Sequence, residues 1–319
     1  MRLLAISDLH LSHAANRDGL DALPAHPNDW LIVAGDVGEK PEHLVYALDR
    51  LTTRFARVIW TPGNHDLWCP PDAPDRTRGQ ARYDELVAIC RSYGVLTPED
   101  AYVTFSAPVL ECSRAPVHPS TAAPAHSSTK APEHESTGAP EHSPIYICPL
   151  FLLFDYSFHP RGVTDPVAWA KETGVVCGDE WMISPEPWPS RTAWCHARVD
   201  ATEARLRELP TDASTILISH WPLRYDLARP PRVPRFSVWC GTTRTEHWPT
   251  TFRARAVING HLHMRTHIMR GGIPHMEVSL GYPRDWTTAR GVDFYLREIL
   301  PNIDSRFVPG RDPFMIPYS

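Results

Sequence analysis

The sequence lacks any run near the roughly 18 consecutive apolar residues that a membrane span requires, so no stretch of it reads as a transmembrane segment. It also lacks an excess of positive charge. Its 32 Lys and Arg stand against 37 Asp and Glu, a net −5, which argues against a nucleic-acid binder, because such binding rests on Lys and Arg contacts to phosphate. There is no C-x-x-C pair. The seven cysteines, Cys69, Cys90, Cys112, Cys148, Cys177, Cys195 and Cys240, are odd in number and scattered, which fits reduced thiols better than a disulfide framework. Met1-Arg2-Leu3-Leu4-Ala5 enters an apolar strand at once and leaves no room for a secretory leader. The expectation is a cytoplasmic protein.

What is present is the composition of a globular enzyme, 42% hydrophobic and 22% charged, in a chain of 319 residues that can bury a large core. Five apolar runs end in a metal-ligating side chain. They are Ala5-Ile6-Ser7-Asp8-Leu9-His10, Ile32-Val33-Ala34-Gly35-Asp36, Trp60-Thr61-Pro62-Gly63-Asn64-His65-Asp66, Ile216-Leu217-Ile218-Ser219-His220 and Val257-Ile258-Asn259-Gly260-His261-Leu262-His263. Each alone is weak, since Asp-x-His also reads as a capping Asp beside a surface His. Together they are a pattern: β-formers stop, and an oxygen or nitrogen ligand stands at the exit.

Pro41 opens a helix with Leu44, Leu48, Leu51 and Phe55 on one face, and Arg57 to Thr61 reads as a third strand. The order β-α-β-α-β predicts a parallel sheet, whose ligands gather outside the carboxyl ends of its strands. A helix is predicted over 76–93, strand over 101–112, a helix over 200–209 and a hairpin over 266–280. Residues 115–143 form a tandem octapeptide, APVHPSTA, APAHSSTK, APEHESTG and a truncated APEHS. Its composition buries too little to offset ordering entropy, so 113–144 is expected to be a disordered insertion within a single domain spanning 1–319. It is expected as the expanded loop of a hairpin between 109–112 and 145–148, at a closure cost of only about 2 kcal/mol. His118, His126, His134 and His142 then belong to a solvated spacer. The Trp- and Pro-rich stretch 156–195 reads as a packed excursion or as a cap beside the site, with the cap favoured.

The exits supply Asp8, His10, Asp36, Asn64, His220, His261 and His263. Nitrogen and oxygen ligands without thiolate point to Mn²⁺, Fe²⁺/Fe³⁺ or Zn²⁺. Seven ligands suit two ions, and a carboxylate such as Asp36 can bridge them. Two ions about 3.5 to 4 Å apart bring the pKa of shared water from about 15.7 toward about 7, so that hydroxide attacks phosphorus in line. His65 is placed to protonate the leaving oxygen or to hydrogen-bond the phosphoryl group, oriented by Asp66 or by Glu39. His13, His26, His43, His159, His196, His247, His267 and His275 have no such spacing and read as ordinary surface or core residues.

In this order D-x-H, G-D, G-N-H-D, an isolated strand-end His and G-H-x-H resemble the calcineurin-like metallophosphoesterase family over residues 8 to 263. The resemblance implies an α/β fold, an αββα sandwich of two mixed sheets with flanking helices. It implies one metal held by Asp8, His10, Asp36 and His263, and another by Asp36, Asn64, His220 and His261. Gly174-Val175-Val176-Cys177, Pro189 to Cys195 and Ser279-Leu280-Gly281-Tyr282-Pro283 resemble, more narrowly, an actinobacterial branch that includes a phosphopantetheinyl hydrolase. That implies a phosphodiester substrate on an acyl carrier protein, which would meet a basic rim for which Arg76, Arg78, Arg224, Arg229, Arg232 and Arg235 are the candidates. The alternatives are a nucleotide or cyclic-nucleotide phosphodiesterase, a protein phosphatase, or, in a different class, a non-catalytic scaffold, which would be expected to have lost ligands.

Overall fold

The computed structural model describes residues 1–73, 76–105 and 144–303, so the expected insertion at 113–144, apart from Pro144, lies outside the described residues. The strands are β1 (Leu3–Ile6), β2 (His26–Ala34), β3 (Phe55–Thr61), β4 (Val103–Phe105), β5 (Ile145–Pro149), β6 (Ser214–Ile218), β7 (Ala254–Asn259), β8 (His267–Arg270), β9 (Ile273–Glu277) and β10 (Arg297–Leu300). They form two mixed sheets, ordered β10-β1-β2-β3 and β4-β5-β6-β7-β9-β8. β1, β2 and β3 run parallel, as do β5, β6, β7 and β9, while β10, β4 and β8 are antiparallel to their neighbours.

The two-residue period of a strand sorts side chains between two layers. Leu3, Ala5, Ile32, Ile59, Ile147, Ile216, Ile218, Ala256, Ile258 and Met276 share one buried cluster between the sheets. Leu4, Ile6, Leu31, Val33 and Trp60, on the opposite faces, join the helices instead. Pro41–Arg54 contributes Leu44, Ala47, Leu48 and Leu51 at the spacing of one helical face. Gly79–Ser92 contributes Tyr83, Leu86, Val87 and Cys90. Each such aliphatic side chain contributes roughly 1.5–3 kcal/mol by leaving water. The αββα arrangement is as expected.

Several expectations are corrected. The strand that pairs with β5 is Val103–Phe105, with Val103 opposite Ile147; residues 109–112 lie outside the described residues. The hairpin expected over 266–280 is present as the antiparallel pair β8 and β9, with β9 also paired in parallel with β7 and β8 at the edge. The later helix begins at Arg191, nine residues before the predicted start, because Ser190 caps it by accepting from the Ala193 amide at 3.1 Å. The stretch 156–195 packs more than it caps, since Phe158 and Trp194 are fully buried. Beyond that stretch, Pro230, Val233 and Phe236 reach the cleft described below.

The carboxyl ends of the central strands open on one edge, where backbone bonds draw the two sheets together. Ser7 donates to Val278 O at 3.1 Å and Leu280 donates to Ser7 O at 2.8 Å.

Candidate metal centre

Each exit turns sharply enough to throw its ligand back over the sheet edge. Asp8, His10, Asp36, His261 and His263 all have left-handed backbone, with φ of 54°, 41°, 54°, 75° and 51°. That region costs a non-glycine residue on the order of 1–3 kcal/mol, so five of the seven expected ligands sit in strained conformations that only the surrounding bonds sustain. Two glycines make room. A Cβ on Gly35, at φ +87°, would lie 2.6 Å from Gly63 N and 2.7 Å from His220 Nδ1, and one on Gly260 would strike Asp8 and Ser7.

The structure brings all seven expected ligands together in two groups. In the first, His263 Nε2 lies 3.1 Å from Asp8 Oδ1 and 3.2 Å from His10 Nε2. In the second, Asn64 Oδ1 lies 2.9 Å from His220 Nε2 and 3.0 Å from His261 Nδ1. Asp36 stands between them: its carboxylate groups with His10 and His65 on one side and with Asp8 and His220 on the other, ligand atoms within 4.8 Å.

The donor chemistry fits a divalent cation. His220 Nδ1 donates to Ala34 O at 2.9 Å, which leaves Nε2 as a lone pair on a ring whose pKa burial pushes down to about 4. Asn64 Nδ2 donates to Asp179 Oδ1 at 3.1 Å, which turns Oδ1 toward that lone pair. Two acceptors thus face each other, an arrangement that a bound cation relieves. His10 Nδ1 and His261 Nε2 are likewise buried without a partner.

Charge points the same way. Burial, and then the negative charges of Asp8 and Asp66, push the Asp36 carboxyl well above the usual range. Burial also opposes ionisation of Asp8, but His263, His220 and His10 hold it well below that range. For His263, burial opposes the proton, yet Asp8 and Asp285 raise its pKa to about 10. A proton there occupies the place a cation would take, and Asp285, 3.0 Å from Nδ1, is the carboxylate that orients the ring.

His65 is oriented by Glu39, whose Oε1 accepts from Nδ1 at 3.1 Å. Asp66 does something else. Its carboxylate accepts the amides of Asp36, Val37, Gly38 and Gly63 at 2.9, 3.0, 3.3 and 2.9 Å, tying the second exit to the third. The His65 ring stacks on Trp68 with centroids 3.7 Å apart and lies edge-on to His10 at 4.7 Å.

Sequence reasoning missed Asp179, Asp285, Trp68 and Tyr282, which stacks on His10 at 4.4 Å. None stands in a ligand motif; Asp179 and Asp285 are isolated carboxylates whose burial appears only on folding. Of the eight unassigned histidines, His26 meets Asp293 at 2.8 Å and His196 meets Asp155 at 3.0 Å, both in hydrogen bonds to carboxylates away from the centre. Among the rim arginines, Arg76 is bonded to Glu39 O, Arg78 to Ala73 O, Arg224 to Asp226 and Arg235 to Glu172. Arg229 lies over the Tyr225 ring, and Arg229 and Arg232 flank Pro230 in the chain.

A cleft of about 320 Å³ opens over the centre, with Asp36, Asn64, His65, His261 and His263 at its floor and Pro230, Val233, Phe236, Leu262, Tyr282 and Arg284 as walls. No helix among the described residues is long and apolar enough to cross a membrane.

A family model described as calcineurin-like phosphoesterase matches residues 1–112. The acyl-carrier-protein phosphodiesterase PptH of Mycobacterium tuberculosis (strain ATCC 25618 / H37Rv) is 42% identical over 312 residues, 97% of this chain and 85% of that protein. The crystal structure of phosphopantetheinyl hydrolase (PptH) from Mycobacterium tuberculosis matches with a TM-score of 0.78 at 40% identity, covering 97% of this chain and 98% of that one. A two-sheet sandwich with a divalent-metal site at its strand exits, matched in this way, is a metal-dependent phosphoric ester hydrolase. The chain belongs to the calcineurin-like phosphoesterase family.

Proposed function

We propose that this chain hydrolyses the phosphodiester that joins 4′-phosphopantetheine to an acyl carrier protein. The observation that carries the reading is the pair of donor groups meeting at Asp36 within a chain 42% identical, over 97% of its length, to a protein named for that activity. Asp8, His10, Asp36 and His263 would hold one ion, and Asp36, Asn64, His220 and His261 the other. Nitrogen and oxygen donors without thiolate suit Mn²⁺ and Fe²⁺, and also accept Zn²⁺. When bound, the ions supply charge to neutralise phosphoryl oxygens and lower the pKa of the attacking water.

The chain's own residues do the rest. Burial opposes ionisation of Glu39, but the hydrogen bond from His65, its own backbone amide and the neighbouring imidazoles together lower its pKa to about 2. It stays ionised, fixes the His65 proton on Nδ1 and stabilises the cationic ring, so that Nε2 gives a proton to the departing oxygen. Trp68 covers one face of that ring and keeps water from it. Pro230, Val233 and Phe236 give the cleft an apolar wall for an extended arm, and Arg284 beside Tyr282 gives it a cationic one.

We also propose that residues 1–319 act as one domain, with 113–144 an insertion within it. A cytoplasmic setting is supported by six described cysteines that are free and buried.

The test is a panel under equal Mn²⁺: a holo acyl carrier protein, a cyclic nucleotide, a phosphopeptide and an aryl phosphodiester. The reading requires kcat/KM for the carrier protein to exceed the others. A cyclic nucleotide or phosphopeptide turned over faster than the carrier protein would contradict it, and loss of all turnover in Asp36→Asn ties the activity to the site.

A further inference from the structure

The donor group around Asn64 works only if the amide presents oxygen, because an amide nitrogen carries no lone pair for a cation. An asparagine has no intrinsic preference between its two orientations, so something must set it. His220 and His261 do not: with its Nδ1 proton on Ala34 O, the His220 Nε2 lone pair would draw the amide nitrogen instead, and His261 Nδ1 serves as donor or acceptor according to its tautomer. Asp179 Oδ1 does. A carboxylate only accepts, so its 3.1 Å contact with Asn64 Nδ2 is possible in one orientation alone.

Asp179 is itself fixed. It is fully buried, on the short helix Asp179–Met182, and its Oδ1 also accepts from Trp68 Nε1 at 2.7 Å. Trp68 is in turn stacked on His65. One carboxylate oxygen thus ties the amide of Asn64 to the indole that backs the acid. It comes from the Trp- and Pro-rich stretch, well beyond residues 1–112 that match the family model; the motif block supplies Asn64, and a later excursion supplies the group that turns it.

We propose that Asp179 is a positioning residue that orients the Asn64 amide and thereby sets the affinity of one of the two metal sites, leaving the other alone. The inference rests on the proposed reading of Asn64 as a ligand. The site of Asp8, His10 and His263 has its own orienting carboxylate, Asp285, so the effect is selective.

The experiment is Mn²⁺ titration of metal-free protein by calorimetry, read as stoichiometry and two dissociation constants, with electron paramagnetic resonance to separate coupled ion pairs from single ions. Asp179→Ala should keep one site at wild-type affinity and weaken the other by about 10- to 100-fold, the range for loss of an outer-shell partner. Asp179→Asn, which keeps an acceptor oxygen but not its charge, should fall between. In an Asn64→Ala background, Asp179→Ala should add nothing further, since its effect runs through Asn64.

Two wild-type affinities in Asp179→Ala, or equal weakening of both sites, would overturn the inference. If Asp179→Ala does not melt cooperatively, Asp179→Asn decides: a few-fold loss at one site supports the inference, and no loss overturns it. Should Asn64→Ala alone leave both sites intact, the reading of Asn64 as a ligand falls with it. If Asn64→Ala loses a site and the Asp179 variants do not, only the role of Asp179 falls.

Discussion

Glu39 Oε1 lies 3.1 Å from His65 Nδ1, and Glu39 Oε2 lies 3.6 Å from His43. The carboxylate is steered from behind, because Arg76 Nη2 bonds the Glu39 carbonyl at 2.7 Å and Arg82 Nη2 bonds it at 3.3 Å. Of the two partners the sequence offered to His65, the fold gives one to the ring and spends the other on backbone amides.

The pairing predicts a leaving-group signature. His65→Ala should lower kcat by about 10²–10⁴-fold on the carrier-protein ester, whose alkoxide needs a proton, and far less on an aryl diester whose phenolate departs unaided. Glu39→Gln should show the same contrast to a smaller extent. A plot of log kcat against leaving-group pKa, steeper in both variants, is the check; parallel lines would remove His65 from the protonation step.

Asp36 should show a trade between function and stability. Its carboxyl is crowded by Asp8 and Asp66 in the absence of cations, and asparagine tolerates the left-handed backbone that this position adopts. Asp36→Asn should therefore raise the Tm of the metal-free protein by roughly 2–4 °C, about 1 kcal/mol, while abolishing turnover. Differential scanning calorimetry in chelator checks the first half; a lower Tm would mean that the strain at this exit is not electrostatic.

In metal-free protein, buried histidines should make opposing pH-dependent contributions to stability on either side of pH 6.5. His220 and His275 both have folded pKa values lowered to about 4, by burial first. As pH falls from 6.5 to 4 the unfolded chain takes up protons that the folded chain refuses, so stability drops by about 1.4 kcal/mol per pH unit for each group. His263 behaves oppositely. Its folded pKa is raised to about 10, so its contribution is complete below 6.5 and is lost as pH climbs toward 10. Tm against pH in chelator should show both limbs, with His263→Gln flattening the alkaline one.

Carrier-protein docking should fall on the cleft rim next to Pro230 and Val233, a side chain 43% exposed. Reversing Arg229 and Arg232 to Glu should raise KM for the carrier protein several-fold and leave the aryl diester unchanged. Equal effects on both substrates would place these arginines in the fold rather than in recognition.

That these seven residues would converge was legible because each follows an apolar strand, and strand exits are readable from period and composition. The left-handed turns that aim five of them were not, since Asp and His carry no glycine-like mark of positive φ. Asp179 and Asp285 were invisible for a related reason. A lone carboxylate far along the chain gains its meaning only when folding buries it against a ligand. Ser190 was a readable helix cap, but Pro189 and Trp188 before it masked the signal.

The most direct test of the account is the intact mass of a holo acyl carrier protein after incubation with the Mn²⁺-loaded chain, beside Asp36→Asn. The account predicts loss of the whole 4′-phosphopantetheine arm, leaving the unmodified serine, with no change in the variant. A carrier protein that keeps its arm, or keeps phosphate on serine after losing only pantetheine, would contradict it.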